Sequence, residues 1–282
     1  MKKYLYSLIC ILLIGVVGYS LTYHTKQPVT VDIPTKTYVA MGDSVAAGVG
    51  LKDNADPSAC DRTNESYPAV VAKAMNYALS NIACSGATVP VGITGSQTVN
   101  QLDVSSQLDA LFALKRPDLI TITVGANDAG WTQNIGKCYS GECGSDTDTA
   151  AVATRLASMK TNLSAALMKI KQHFGTNQPK VIVTGYYQVF PSTAMICSDL
   201  TGIDASELAW GRQQQAALSE AVKEAIPSET LDQFVPIEFT GHELCSAEPW
   251  VQGLGDKQPY HPTAAGQAAI AKAVVFEVNS NQ

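Results

Sequence analysis

With 282 residues the chain can build one large domain with a sizeable core, or two small ones. Its net charge is −6, and setting aside the leader lysines Lys2, Lys3 and Lys26 leaves −9 for the body. An acidic body without a basic stripe excludes nucleic acid as a partner.

The chain opens with Lys2-Lys3 and a largely apolar stretch from Tyr4 to Tyr23, the arrangement of an export signal. At about 20 residues the same stretch is long enough to stay in a bilayer uncleaved. No Ala-x-Ala site follows it, so release and anchoring through residues 4–23 both stay open. Cys10 has Ile9 before it and an apolar run after it, which makes it a leader residue rather than a lipid-attachment site. The expected layout is a signal peptide or N-terminal membrane anchor over 1–27, a linker over 28–36 and a single domain over 37–279.

Beyond the leader, short runs rich in β-branched residues alternate with helical stretches. The first strand is predicted at Thr37–Met41 and runs into Gly42-Asp43-Ser44. A weaker second strand at Ser80–Ala83 precedes Cys84-Ser85-Gly86. A third, Leu119–Val124, ends at Gly125-Ala126-Asn127-Asp128, and an irregular stretch follows from Gly130 to Ser145. From Ala150 to Phe174, apolar residues recur at three- and four-residue steps in one helical stripe, closed by Gly175. A fourth strand, Lys180–Thr184, leads to a helix opened by the capping pair Asp204/Glu207 and ended by Pro227. A fifth strand at Phe234–Ile237 and a last helix after Pro262 complete the pattern. Most strands are apolar throughout, as parallel strands covered on both faces must be. The expected fold is therefore α/β: a three-layer, flavodoxin-like sandwich on a parallel sheet of order 2-1-3-4-5.

Leaving out Cys10, six cysteines remain, at 60, 84, 138, 143, 197 and 245. An even number in an exported chain favours disulfides. In the expected strand order, Cys60 and Cys84 follow neighbouring strands, as do Cys197 and Cys245. The topology thus favours Cys60–Cys84, Cys138–Cys143 and Cys197–Cys245. No Cys-x-x-Cys pair occurs, so no metal is expected.

The chemistry gathers after the strands, where open α/β sheets build their sites. Ser44 stands between a strand and Val45-Ala46-Ala47, which puts its hydroxyl at the sheet edge and its own N–H at a helix N-terminus. Taken alone it is equally an N-cap. Asn127 offers a side-chain N–H to a developing oxyanion, or shapes a turn. Among four histidines, His24 adjoins the leader and His173 lies at a helix end, while His242 follows strand 5 in a loop. His261, in Tyr260-His261-Pro262, stands at the mouth of the last helix.

Gly42-Asp43-Ser44, Gly86, Gly125 with Asn127, and His261 in this order resemble the GDSL, or SGNH, family of hydrolases. Cys60-Asp61-Arg62, Tyr67-Pro68, Ala83-Cys84-Ser85-Gly86-Ala87 and the segment Phe239–Cys245 with Trp250 are similar to its secreted, disulfide-containing members. The resemblance spans about residues 37 to 275. It implies Ser44 as nucleophile, His261 as base, and an oxyanion hole from Ser44, Gly86 and Asn127. Where many members carry an aspartate three residues before the histidine, this chain has Gln258. Either a backbone carbonyl near Gln258 holds the histidine ring, or Asp256 reaches it; Asp43 is a third candidate.

The expected function is that of an exported serine esterase or lipase cleaving carboxylic esters, with no cofactor, as a monomer. Alternatives are an O-acyl or O-acetyl glycan esterase, an acyltransferase, or a non-catalytic surface binding protein. Expected substrates are a lipid, an acylated glycan or a small ester.

Overall fold

Lys36–Gly42 forms the strand β1 at the heart of a parallel sheet in a computed structural model that describes residues 34–51, 60–192 and 197–280. Both readings of residues 1–27, and most of the linker, lie outside the described residues. β1 is buried from Tyr38 onward, and it pairs with Tyr77–Asn81 (β2) on one side and Leu119–Thr123 (β5) on the other. Lys180–Thr184 (β6) and Gln233–Val235 (β7) extend the sheet. The order is β2-β1-β5-β6-β7, parallel throughout, which is 2-1-3-4-5 when these five strands are counted in sequence.

Between β2 and β5 lies a separate antiparallel hairpin, Gln97–Val99 (β3) with Leu102–Val104 (β4), that the sequence reading lacks. Strands of three residues are too short to carry a periodicity. The second strand also begins three residues earlier than expected. The apolar Ile82 and Ala83 lie beyond it, whereas Tyr77–Asn81 is a half-exposed edge defined by its ladder to β1.

Helices cover both faces. Tyr67–Met75 (α2) packs with the last helix, Ala264–Ser280 (α7), on one side. On the other, Asp146–Phe174 (α5) packs with Gln107–Ala113 (α3) and Ala205–Glu224 (α6). α5 begins four residues before the expected start because Ser145 and Asp148 form a capping box that satisfies the first turn. α6 opens at Asp204 with its partner Glu207, as expected, and ends at Glu224, short of Pro227. The stretch Gly130–Ser145 is not irregular throughout: Trp131–Tyr139 is a helix (α4), amphipathic enough to bury Asn134, Ile135 and Cys138. A short helix, Ser44–Ala47 (α1), follows β1 directly.

Buried hydroxyls stitch the middle of the sheet. Tyr38 and Thr121 lie 2.6 Å apart, Tyr67 and Thr123 2.8 Å, and Thr123 and Thr184 2.7 Å. Such satisfied polar contacts fix one register in an otherwise apolar core. The disulfides Cys60–Cys84, Cys138–Cys143 and Cys197–Cys245 are all present.

Candidate active site

Gly42 ends β1 at φ +136°, and a Cβ there would lie 2.2 Å from the Thr123 carbonyl oxygen of β5. Only glycine lets the chain turn this close to its neighbour. Gln107 clamps the two peptides that flank Gly42: its side chain accepts from Gly42 N at 2.7 Å and donates to Gly42 O at 2.8 Å. Asp43 then caps α1, accepting from Val45 N at 2.9 Å. The turn leaves Ser44 half-exposed at the carboxyl edge of the sheet.

His261 reaches the serine from the far end of the chain, its Nε2 lying 2.7 Å from Ser44 Oγ. Its Nδ1 lies 3.2 Å from the Pro259 carbonyl oxygen. With Nδ1–H donating to that carbonyl, Nε2 carries a lone pair and can accept a hydrogen bond from Ser44 Oγ–H. Burial lowers the ring's pKa below its ordinary value, against the opposing pull of the carbonyl bonds. The loop is held on both flanks. Tyr260 N donates to Gln252 O, Gln252 N to His261 O, and the Gln252 side chain to the Val49 and Pro262 carbonyls. Tyr187 Oη donates to Tyr260 O. Gln267 of α7 bridges Val45 O and Tyr67 N, tying the Ser44 helix to the helix beside His261.

Neither Asp256 nor the Gln258 side chain meets the ring. The Asp256 carboxylate accepts from Gly253 N at 2.8 Å, closing its own exposed turn, and Gln258 is exposed, with its backbone oxygen toward His261 N. Asp43 is also engaged elsewhere: its second carboxylate oxygen accepts from Tyr186 Oη. Full burial raises the Asp43 pKa to about 7 despite the bonds from Tyr186 and Val45.

Gly86 and Asn127 line the same cleft as Ser44. Asn127 Nδ2 donates to Ala87 O at 2.9 Å, which orients the amide and leaves its second N–H available. Asp128 accepts from Val89 N, joining the two loops, and burial raises its pKa to about 6. The cleft has a volume of about 210 Å³, and its apolar wall is formed by Trp131, Ile135, Tyr187, Val189 and Leu218.

His242 and Trp250 stand apart from this cleft. Their rings stack at 3.7 Å, and His242 Nδ1 lies 2.8 Å from Glu248 O. His173 stacks on Phe112 at 4.1 Å. Three participants escaped the sequence reading. Gln107 carries no local mark, and Trp131 sits in a stretch taken as loop. Tyr186 had one available signal, its place just past the fourth strand on the same sheet edge as Ser44. Its hydroxyl donates to Asp43 and accepts from Ala126 N at 3.1 Å, linking the Ser44 turn to the Asn127 loop.

Among known proteins, the model of the GDSL-like Lipase/Acylhydrolase family matches residues 40–269. A lipase from Streptomyces rimosus is 30% identical over 242 residues, covering 84% of each chain. The crystal structure of the extracellular lipase from that organism superposes with a TM-score of 0.62 at 27% identity, covering 88% of this chain and 100% of that one. Phospholipase A1 from Streptomyces albidoflavus NA297 gives 0.63 at 26% identity, over 88% and 99%. The family model spans most of the chain, and sequence and fold both match the Streptomyces lipase, which leaves one assignment: the chain belongs to the GDSL-like lipase/acylhydrolase family and is a carboxylic ester hydrolase.

Proposed function

We propose that this chain is an exported serine lipase or esterase that uses a Ser44–His261 dyad on the acyl esters of lipids. One observation carries the reading: Ser44 Oγ sits 2.7 Å from an imidazole whose other nitrogen faces a backbone carbonyl, at the mouth of an apolar cleft. In the proposed reaction Ser44 Oγ attacks the acyl carbon and its proton passes to His261 Nε2. The oxyanion is held by the N–H groups of Ser44 and Gly86 and by Asn127 Nδ2. His261 then gives the proton to the departing alkoxide. Water, deprotonated by the same nitrogen, releases the acid and restores the serine. The Pro259 carbonyl does the orienting that a carboxylate does in a triad, fixing tautomer and ring plane without a second charge.

The cleft is smaller than the roughly 300 Å³ at which pockets begin to enclose a whole drug-sized molecule. It therefore takes the acyl chain and leaves the alcohol portion outside. The lipase and phospholipase A1 activities of the relatives support a lipid source for that chain. Residues 1–27 act as the export leader and 37–279 as the catalytic domain, a reading supported by the three disulfides and the extracellular relative. Among the described residues no helix is long and apolar enough to cross a membrane.

Hydrolysis of p-nitrophenyl esters from acetate to palmitate, with fluorophosphonate labelling, tests this reading. Ser44→Ala is expected to abolish both, with rates falling about 10⁴-fold or more, and the wild type to prefer medium acyl chains. Turnover that survives Ser44→Ala overturns the dyad. A preference for acetate over every longer ester overturns the acyl-chain cleft.

A further inference from the structure

The turn that carries Gly86 depends on a residue outside the reacting group. Ala87 N donates to Cys84 O at 3.2 Å, and Gly86, third of the four residues, has φ +78°. That is a type II turn, which needs positive φ at its third position. In the competing type I turn the central peptide is rotated by about half a revolution, so its carbonyl and N–H exchange directions. Here the central peptide joins Ser85 C=O to Gly86 N–H. The two groups point opposite ways across the planar trans bond. Whether the Gly86 N–H meets the oxyanion is therefore decided by where the Ser85 carbonyl points.

Gln97 holds that carbonyl. Its Nε2 donates to Ser85 O at 2.6 Å from a side chain only 7% exposed. Its Oε1 lies against Gly92, 2.7 Å from where a Cβ would stand. Turning the amide over would set Oε1 against the Ser85 oxygen, so the donor orientation is forced. Gln97 is the first residue of β3, and this gives the small hairpin a purpose: it carries one amide to the back of the oxyanion turn. A hydrogen bond to the carbonyl also polarises the peptide and makes its N–H a stronger donor.

We propose that Gln97 is a positioning residue for the oxyanion hole, holding the Ser85–Gly86 peptide with the Gly86 N–H facing Ser44. This rests on the serine-hydrolase reading above. Gln97→Met keeps the length of the side chain and removes the donor. Outright loss of an oxyanion donor costs about 10²–10³ in kcat, so a turn released to flip is expected to lose about 10- to 100-fold in kcat with KM within about twofold. Affinity for a boronic acid that forms a tetrahedral adduct on Ser44 should fall by a comparable factor, a readout that a packing role would not move. A kcat within about twofold of wild type, or a loss confined to KM, overturns the proposal while leaving the Ser44 reading intact.

A second measurement needs neither the variant nor a substrate. In isotope-labelled wild-type protein, a scalar coupling between Gln97 Nε2 and the Ser85 carbonyl carbon reports the bond directly. The coupling supports the proposal, and a missing coupling overturns it. A wild type that hydrolyses no ester, with Ser44 unlabelled by fluorophosphonate, overturns the serine reading and with it the catalytic role of Gln97.

Discussion

Asp43 is the most heavily perturbed acid beside Ser44. It is fully buried, bonded to Tyr186 and Val45, and faces Asp128, and burial dominates by raising its pKa from 3.8 to about 7. An acid whose folded-state pKa lies above its unfolded value takes up a proton on folding at any pH between the two. Its contribution to stability therefore falls as pH rises from about 4 to about 7 and stays constant above that. Asparagine keeps the size and the acceptor for Val45 N–H but does not titrate. The Tm of Asp43→Asn minus that of wild type is thus expected to climb between pH 4 and pH 7 and then level off. A difference that stays flat across that window refutes the buried-carboxylate account. Such a residue is half legible in sequence: the strand-to-helix turn is marked there, but the cap candidate it offers is Ser44, whereas the cap is Asp43. Its second partner, Tyr186, is 143 residues away and leaves no mark near Asp43.

At the scale of elements, local signals succeeded where a segment satisfies itself. The Asp204/Glu207 box opens α6 where the spacing placed it, since cap and N3 residue bond within one turn. The equivalent box on α5, Ser145 with Asp148, starts at the last residue of a stretch read as irregular, although the same chemistry is present. Ser145→Ala removes the acceptor for Asp148 N and the donor to its carboxylate. It is expected to cost about 1 kcal/mol of stability, read by denaturant unfolding, without altering ester turnover. An unchanged midpoint would show that the first turn of α5 is held by Lys137, which pairs with Asp148, instead of by its cap. Failures at this scale share a cause. β2 was displaced because its ladder to β1, not its burial, defines it. β3 and β4 were missed because each is three residues long and is made by the other.

Across the whole molecule, the disulfides tie down the loops of the carboxyl edge to different extents. Cys197–Cys245 spans 48 residues, Cys60–Cys84 spans 24, and Cys138–Cys143 spans 5. In the chain-entropy account, closing such loops restricts the unfolded ensemble by about 4, 3 and 2 kcal/mol in that order. Paired Cys→Ser replacements are expected to lower stability in the same ranking, followed by thermal unfolding of each double variant. Cys138→Ser with Cys143→Ser as the most damaging pair would show that native-state contacts, not loop closure, set the effect. What the sequence determined by itself were the features written in short stretches. These are the apolar strands, three of the helices, the glycine- and asparagine-bearing turns, and the motif order that marks the family. From these the sheet order and the cysteine pairing followed, because parallel strands joined by helices allow few arrangements. The tertiary structure alone decided which groups meet. Ser44 and His261 lie 217 residues apart, the ring is held by the Pro259 carbonyl and not by Asp256, and Gln97 reaches back to Ser85 from a hairpin. Hydrogen bonds act over about 3 Å. A pairing between distant segments is therefore fixed by how the strands and helices pack, a property of the folded chain that no local stretch encodes.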